Sequence, residues 1–186
     1  SDIIYVLSKK YDVKFNGSSE FLFNFSSCFF TCANLRSITL PSINTVNTFS
    51  ATFNSCLQLE WVKFTSMPTV VGSINMSSCF STCFNLQNVY FPATGTTGSI
   101  YNFSSTFNAC SQLKSIVFPS NINVSSFSSA FQQCYALISC ILPTSAAACT
   151  TYASMFNSCN SLLNITLPAA PTAAVSFNTT FYFCPK

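Results

Sequence analysis

The chain is 186 residues long, 49% hydrophobic and only 6% charged, with a net charge of +3 and no His. A typical domain is about 25% charged and a nucleic-acid footprint needs a clustered basic face, so that class is excluded. Ser, Thr and Asn interrupt every apolar run before the roughly 20 residues of a membrane span are reached, which excludes insertion into a bilayer.

Residues 1–21 hold Lys9, Lys10 and Lys14 and three of the four acids, Asp2, Asp12 and Glu20. This most polar part reads as an N-terminal cap with one degenerate strand around Val13 and Phe15. The chain begins at Ser1 without a Met or a signal-like apolar stretch, which reads as a mature or cut form.

From residue 22 onward one pattern recurs. "FFTCANLRSITLP" begins at Phe29, "FNSCLQLEWVKFT" at Phe53, "FSTCFNLQNVYFP" at Phe80, "FNACSQLKSIVFP" at Phe107, "FQQCYALISCILP" at Phe131 and "FNSCNSLLNITLP" at Phe156. A partial copy, "FYFCPK", starts at Phe181. The repeated Cys are Cys32, Cys56, Cys83, Cys110, Cys134, Cys159 and Cys184, spaced 24, 27, 27, 24, 25 and 25 residues apart. A fixed period of this length is the mark of a stacked repeat array, in which each unit buries its apolar face only against its neighbours.

Within each unit a large apolar residue precedes the Phe by four positions, as Phe103 precedes Phe107 and Cys110. Apolar residues at i, i+4 and i+7 predict one face of a short helix. The residues just before it are Asn24, Thr48, Asn75, Asn102, Ser126, Thr151 and Ser176, each a favourable N-cap type. After the Cys, the L-x-x-I-x-L run alternates with period 2 and stops at Pro or Thr, which predicts a short strand. The strand ends Phe15, Leu40, Phe64, Phe91, Phe118, Leu142 and Leu167 predict seven parallel strands. The two 27-residue units hold Gly72, Gly95 and Gly98, so their extra residues are expected to bulge as loops.

The expected fold is an α/β solenoid over residues 22–186: a right-handed stack of ~25-residue units, strands on one face and short helices on the other. The L-x-x-I-x-L run with its preceding F-x-x-C and following Pro resembles the BspA-like leucine-rich repeats of bacterial and protist surface proteins. Similar Cys- and Phe-rich repeats occur in phage tail-associated proteins. The resemblance implies an extracellular, cell-surface or virion-exposed module used for adhesion and recognition.

The repeat Phe (Phe29, Phe53, Phe80, Phe107, Phe131, Phe156) and Cys read as core columns. Eleven Cys in all are expected chiefly as buried free thiols. Disulfides between neighbouring units remain open, since stacking brings Cα atoms within bridging range, although the count is odd. No His and no C-x-x-C pair suggest a metal or cofactor. Seven Asn lie in N-x-[ST] sequons, among them the caps Asn24, Asn75 and Asn102 and the freer Asn16 and Asn123. Four acids without a His and with buried thiols assemble no nucleophile–base pair, so the chain is not expected to be an enzyme.

Binding is expected on the outward side of the strands, where side chains escape the repeat. Trp61, Lys63, Asn88 and Tyr90, with Arg36 and Lys114 nearby, suit a glycan or a protein on a surface. The alternative is a structural subunit of a virion, filament or surface layer. It would self-assemble through the C-terminal half, which is charge-free from Ser115 to Pro185, or through an open end where the next strand is missing.

Overall fold

The computed structural model describes residues 13–14, 24–40, 46–70, 72–95, 98–144, 147–168 and 175–186. The expected cap, with Phe15 and Asn16, lies outside these apart from its short strand. Ten strands run through the described residues in chain order: β1 Val13–Lys14, β2 Ser37–Leu40, β3 Trp61–Phe64, β4 Gly72–Asn75, β5 Asn88–Tyr90, β6 Ser99–Asn102, β7 Ser115–Val117, β8 Asn123–Ser126, β9 Ser139–Ile141 and β10 Asn164–Thr166. Seven of them are the strands expected from the repeat, one per coil. All pairings are parallel, and registers such as Ile38↔Val62↔Val89 follow the repeat.

The strand face is not one ladder. β1-β2-β3-β5 form one sheet and β7-β9-β10 another, with no pairing between β5 and β7. A third sheet, β4-β6-β8, lies on a second face. It corrects the expectation that the 27-residue units bulge: Gly72 opens β4 and Gly98 directly precedes β6. Gly72 and Gly98 have φ of 123° and 95°, a region other residues rarely enter.

The expected helices are absent among the described residues. Residues 103–110, like their equivalents, form successive reverse turns. The amides of Thr106, Asn108 and Cys110 donate back to the carbonyls of Phe103, Ser105 and Phe107 at 3.1, 3.1 and 3.0 Å. The intervening amides of Phe103, Ser105, Phe107 and Ala109 donate instead to Ser126, Ser128, Ala130 and Gln132 of the next coil at 2.8–2.9 Å. A helix would spend every amide inside its own coil. Here half of them tie coils together.

Geometry explains why the turns win. The rings of Phe53, Phe80, Phe107, Phe131 and Phe156 stack at centroid separations of 5.1–5.5 Å. That spacing matches the roughly 4.8 Å between paired strands, whereas helices pack 8–10 Å apart. A helix on this face would force the coils to splay.

The turns need positive φ at two residues per coil, four apart, such as Ser105 (53°) and Ala109 (60°). Fourteen non-glycine residues among those described adopt it, all between 51° and 64°. Each costs about 1–2 kcal/mol, offset in all but Thr179 and Phe183 of the last coil by the inter-coil bond that its own amide makes.

The core lies between these faces. Phe29, Phe53, Phe80, Phe107, Phe131 and Phe156 are fully buried, as are Cys56, Cys83, Cys110, Cys134 and Cys159. Another ring column, Phe64, Phe91 and Phe118, stacks along the sheet side of the core. Its members meet the turn-side rings edge-on, as Phe118 meets Phe103 at 4.9 Å. Aromatic pairs of this kind add about 0.5–1.5 kcal/mol each beyond their buried area.

Candidate functional site: the strand face and its break

The thiols are accounted for by packing and hydrogen bonding. Cys110 Sγ donates to the Phe80 carbonyl of the preceding coil at 3.1 Å. Cys56, Cys83, Cys134, Cys159 and Cys184 do the same to Phe29, Phe53, Phe107, Phe131 and Phe156 at 2.9–3.1 Å. Each Cys is thus small enough for the column and supplies a weak S–H donor. Burial pushes the Cys56 and Cys159 thiols up to about 12, and Cys83, Cys110, Cys134 and Cys140 well above their usual range. Thiols so held are poor nucleophiles. No disulfide occurs among the described residues, where Cys28 is exposed and Cys32 and Cys184 are half-buried. Exposure of Cys28 departs from the expectation that all eleven fill apolar positions.

Six of the seven residues expected as N-caps do cap, but they cap turns. Asn24, Asn75 and Asn102 accept from the amides of Ser26, Ser77 and Ser104 at 2.8–2.9 Å through Oδ1. Thr48, Ser126 and Thr151 accept from Ser50, Ser128 and Ala153 at 3.1–3.2 Å through their hydroxyls. These are Asx- and Ser/Thr-turns spanning two residues. The same positions pair between coils, as in Asn24↔Thr48 and Thr151↔Ser176.

On the strand face, alternation sends Ile38, Val62 and Val89 inward and their sequence neighbours outward. Lys63 stands in register with Tyr90, and Trp61 with Asn88. Tyr90 is 51% exposed, Lys63 and Lys114 are exposed, and Trp61 and Asn88 are half-buried. Ser37, in register with Trp61, is buried. Arg36, expected as a ligand contact, is engaged within the chain. Its Nη1 lies 2.7 Å from Glu60 Oε1, both side chains being about half exposed. The 24-residue separation of the two, one coil, is the signal that sequence reasoning passed over. Such an exposed pair is worth about 0–1 kcal/mol.

The break between β5 and β7 has no counterpart among the sequence expectations. One rung recurs at four coil junctions beside the strands: Glu60 amide to Arg36 carbonyl, Gln87 to Glu60, Ile138 to Lys114 and Leu163 to Ile138, at 2.7–2.9 Å. Among the described residues the rung from Lys114 to Gln87 is missing. A cleft of about 210 Å³ opens there, lined by residues of β5 and β7 and the segments that follow them, including Asn88, Tyr90, Pro92, Ser115 and Val117. Among the described residues, no cluster of His, Cys, Asp or Glu could hold a metal ion, and no helix is long and apolar enough to cross a membrane.

Comparison with known proteins agrees with this architecture. A family model, the BspA-type leucine-rich repeat region, matches residues 14–106 and 76–186 in six copies. A crystal structure of a leucine-rich repeat protein from T. pallidum is similar over 86% of this chain and 70% of its own, with 23% identity and a TM-score of 0.62. A leucine-rich cell surface protein from Faecalibacterium prausnitzii A2-165 matches 73% of this chain and 32% of its own, with 23% identity and a TM-score of 0.49. None of the curated proteins matches. With its repeat, strands and register in place, the chain belongs to the BspA-type leucine-rich repeat family.

Proposed function

We propose that this chain is a non-enzymatic recognition or adhesion module, displayed outside the cell, that meets a glycan-bearing surface through its strand face. Repeat proteins of this family generally act in recognition rather than catalysis. One observation carries the reading. The turn face carries mostly Ser, Thr and Asn, with Phe30, Leu57, Phe84, Tyr135 and Tyr182 as exposed exceptions, whereas the strand face brings aromatic and cationic side chains side by side: Trp61, Lys63, Asn88, Tyr90 and Lys114. Aromatic and cationic groups on a flat, preformed sheet recognise a partner at little ordering cost.

The test is binding of the labelled chain to a printed glycan array and to intact cells. The double variant W61A/K63A should lose at least tenfold in affinity. Gln132→Ala on the turn face should lose nothing. Equal binding by both variants would reject the strand face, and binding to cells stripped of glycans would point to a protein partner instead.

A second reading is favoured by a different observation. Val117, Ile138, Ile141 and Leu163 expose 56, 43, 46 and 62% of their surfaces on the charge-free C-terminal half of the strand face. Exposed apolar side chains grouped on one face suit an interface. With no charge to oppose like-with-like contact, its occupant would be a second copy of the chain, in a virion, filament or surface layer. Light scattering over a range of concentrations separates the two: a constant monomer mass eliminates self-assembly.

A further inference from the structure

We propose that the opening between β5 and β7 is a binding site for one neutral pyranose ring of a glycan, a proposal that deepens the recognition reading and rests on it. The opening is framed rather than frayed. At one end Ser111 Oγ donates to the Phe84 carbonyl at 3.1 Å. At the other, Asn121 clamps Gly95 twice: its Nδ2 donates to the Gly95 carbonyl at 3.0 Å, and its Oδ1 accepts from the Gly95 amide at 2.6 Å. Beneath, Phe91 and Phe118 stack at 5.6 Å. The two coils are therefore held at ordinary spacing on three sides, and only the outer backbone parts.

That frame decides which ligand fits. An extended peptide inserted between β5 and β7 would need the flanking strands about 9–10 Å apart, twice the normal strand spacing. The ring stack beneath holds them near one spacing, so a peptide strand does not enter. The walls of the cleft offer an anion no ion pair, since none of the lining residues is charged and Lys114 stands outside the lining. The volume of about 210 Å³ is below the roughly 300–1,000 Å³ of sites that enclose drug-sized ligands, and suits a single ring.

A pyranose matches the groups present. The missing rung leaves the Gln87 carbonyl as an acceptor and the Lys114 amide as a donor without a partner across the break. Sugar hydroxyls both donate and accept, so one ring lying over the cleft would bond Asn88 and the Ser115 hydroxyl, which line it, with the Gln87 carbonyl and Lys114 amide one residue beyond that lining. Its apolar face has Tyr90 and Val117, 51% and 56% exposed, to lie against. The 27-residue interval between Cys83 and Cys110 does not by itself mark the break, since Cys56 and Cys83 are equally far apart and their strands β3 and β5 pair.

The experiment is an amide NMR titration of the whole chain with methyl glucoside, methyl galactoside, methyl mannoside and N-acetylglucosamine in turn. At least one should shift the Lys114, Ser115 and Tyr90 amides together. Tyr90→Ala should weaken that sugar about tenfold, while Tyr90→Phe retains it. Ser115→Tyr, which fills the cleft from an exposed position, should remove the response. If none of the four sugars moves these amides, or if Tyr90→Ala binds as well as the parent, the proposal is overturned. Should that happen while cell binding still depends on Trp61 and Lys63, the recognition reading survives alone. Should the sugar bind while cell binding ignores the strand face, this site stands and the broader reading falls.

Discussion

The turn face and the strand face of this solenoid are made by the same repeat, yet they treat sequence differently. On the turn face each position has a fixed role. Asn, Ser or Thr caps the first turn, Phe stacks, and Cys donates to the coil before. Backbone amides alternate between their own coil and the next, so every coil is fastened twice. On the strand face only the inward residues are constrained. Outward positions change from Trp61 and Lys63 to Asn88 and Tyr90 to Ser115 and Val117, and the backbone ladder itself lapses once among the described residues. The lesson is that the turn face supplies rigidity and so permits both variation and a local opening on the other side.

Raising the pH should separate the two faces most drastically. The Cys56 and Cys159 thiols lie near 12 in the fold against 9.0 for an ordinary thiol. A raised thiol holds its proton longer in the folded state, so its stabilisation is complete below about pH 9 and is lost as pH climbs from there towards 12. Each unit in that window costs about 1.4 kcal/mol per thiol. Circular dichroism from pH 8 upward should show loss of the fold above pH 9 and no change below it. A C83A/C110A variant, already destabilised, should show a shallower decline.

Phe107→Ala comes next. The ring is fully buried and stacked at 5.4 Å on Phe80 and 5.1 Å on Phe131. Cavity formation should cost about 3–5 kcal/mol in chemical unfolding. Asn102→Ala removes the Oδ1 acceptor for the Ser104 amide and should cost about 1 kcal/mol. Trp61→Ala, on the outer strand face, should change stability by less than about 0.5 kcal/mol while weakening partner binding. A large stability loss there would make Trp61 a core residue and remove it from the candidate site.

Much of this molecule is legible in its sequence. The 24–27-residue period gives the coils, the L-x-x-I-x-L run gives six of the seven strands, which fall into two sheets rather than the single ladder expected, and the Phe and Cys columns are core except at the half-buried Cys32 and Cys184. The helices are the instructive error. Apolar residues at Phe103, Phe107 and Cys110 satisfy a helical period, and Asn102 satisfies a helical cap, but successive turns place the same residues inward and use the same cap. Deciding between them requires the spacing between coils, a property of the stack rather than of any single repeat. The opening between β5 and β7 is hidden for a similar reason: the rung position varies freely, from Arg36 and Glu60 to Ile138 and Leu163, so Gln87 and Lys114 do not stand out and only the missing bond distinguishes them. The Arg36–Glu60 pair is within reach of sequence reasoning, since one coil of separation places the two residues side by side.

The measurement that tests the account most directly is the unfolding free energy of Ala109→Gly. Ala109 has φ of 60° and sits in the turn that passes its amide to Gln132 of the next coil. If the turn face is built as described, glycine relieves the left-handed strain, and the variant should match or exceed the parent by up to about 1 kcal/mol. In a helix the same change removes a strong helix former, so a loss of about 1 kcal/mol would contradict the stacked-turn scaffold on which the placement of the strand-face site depends.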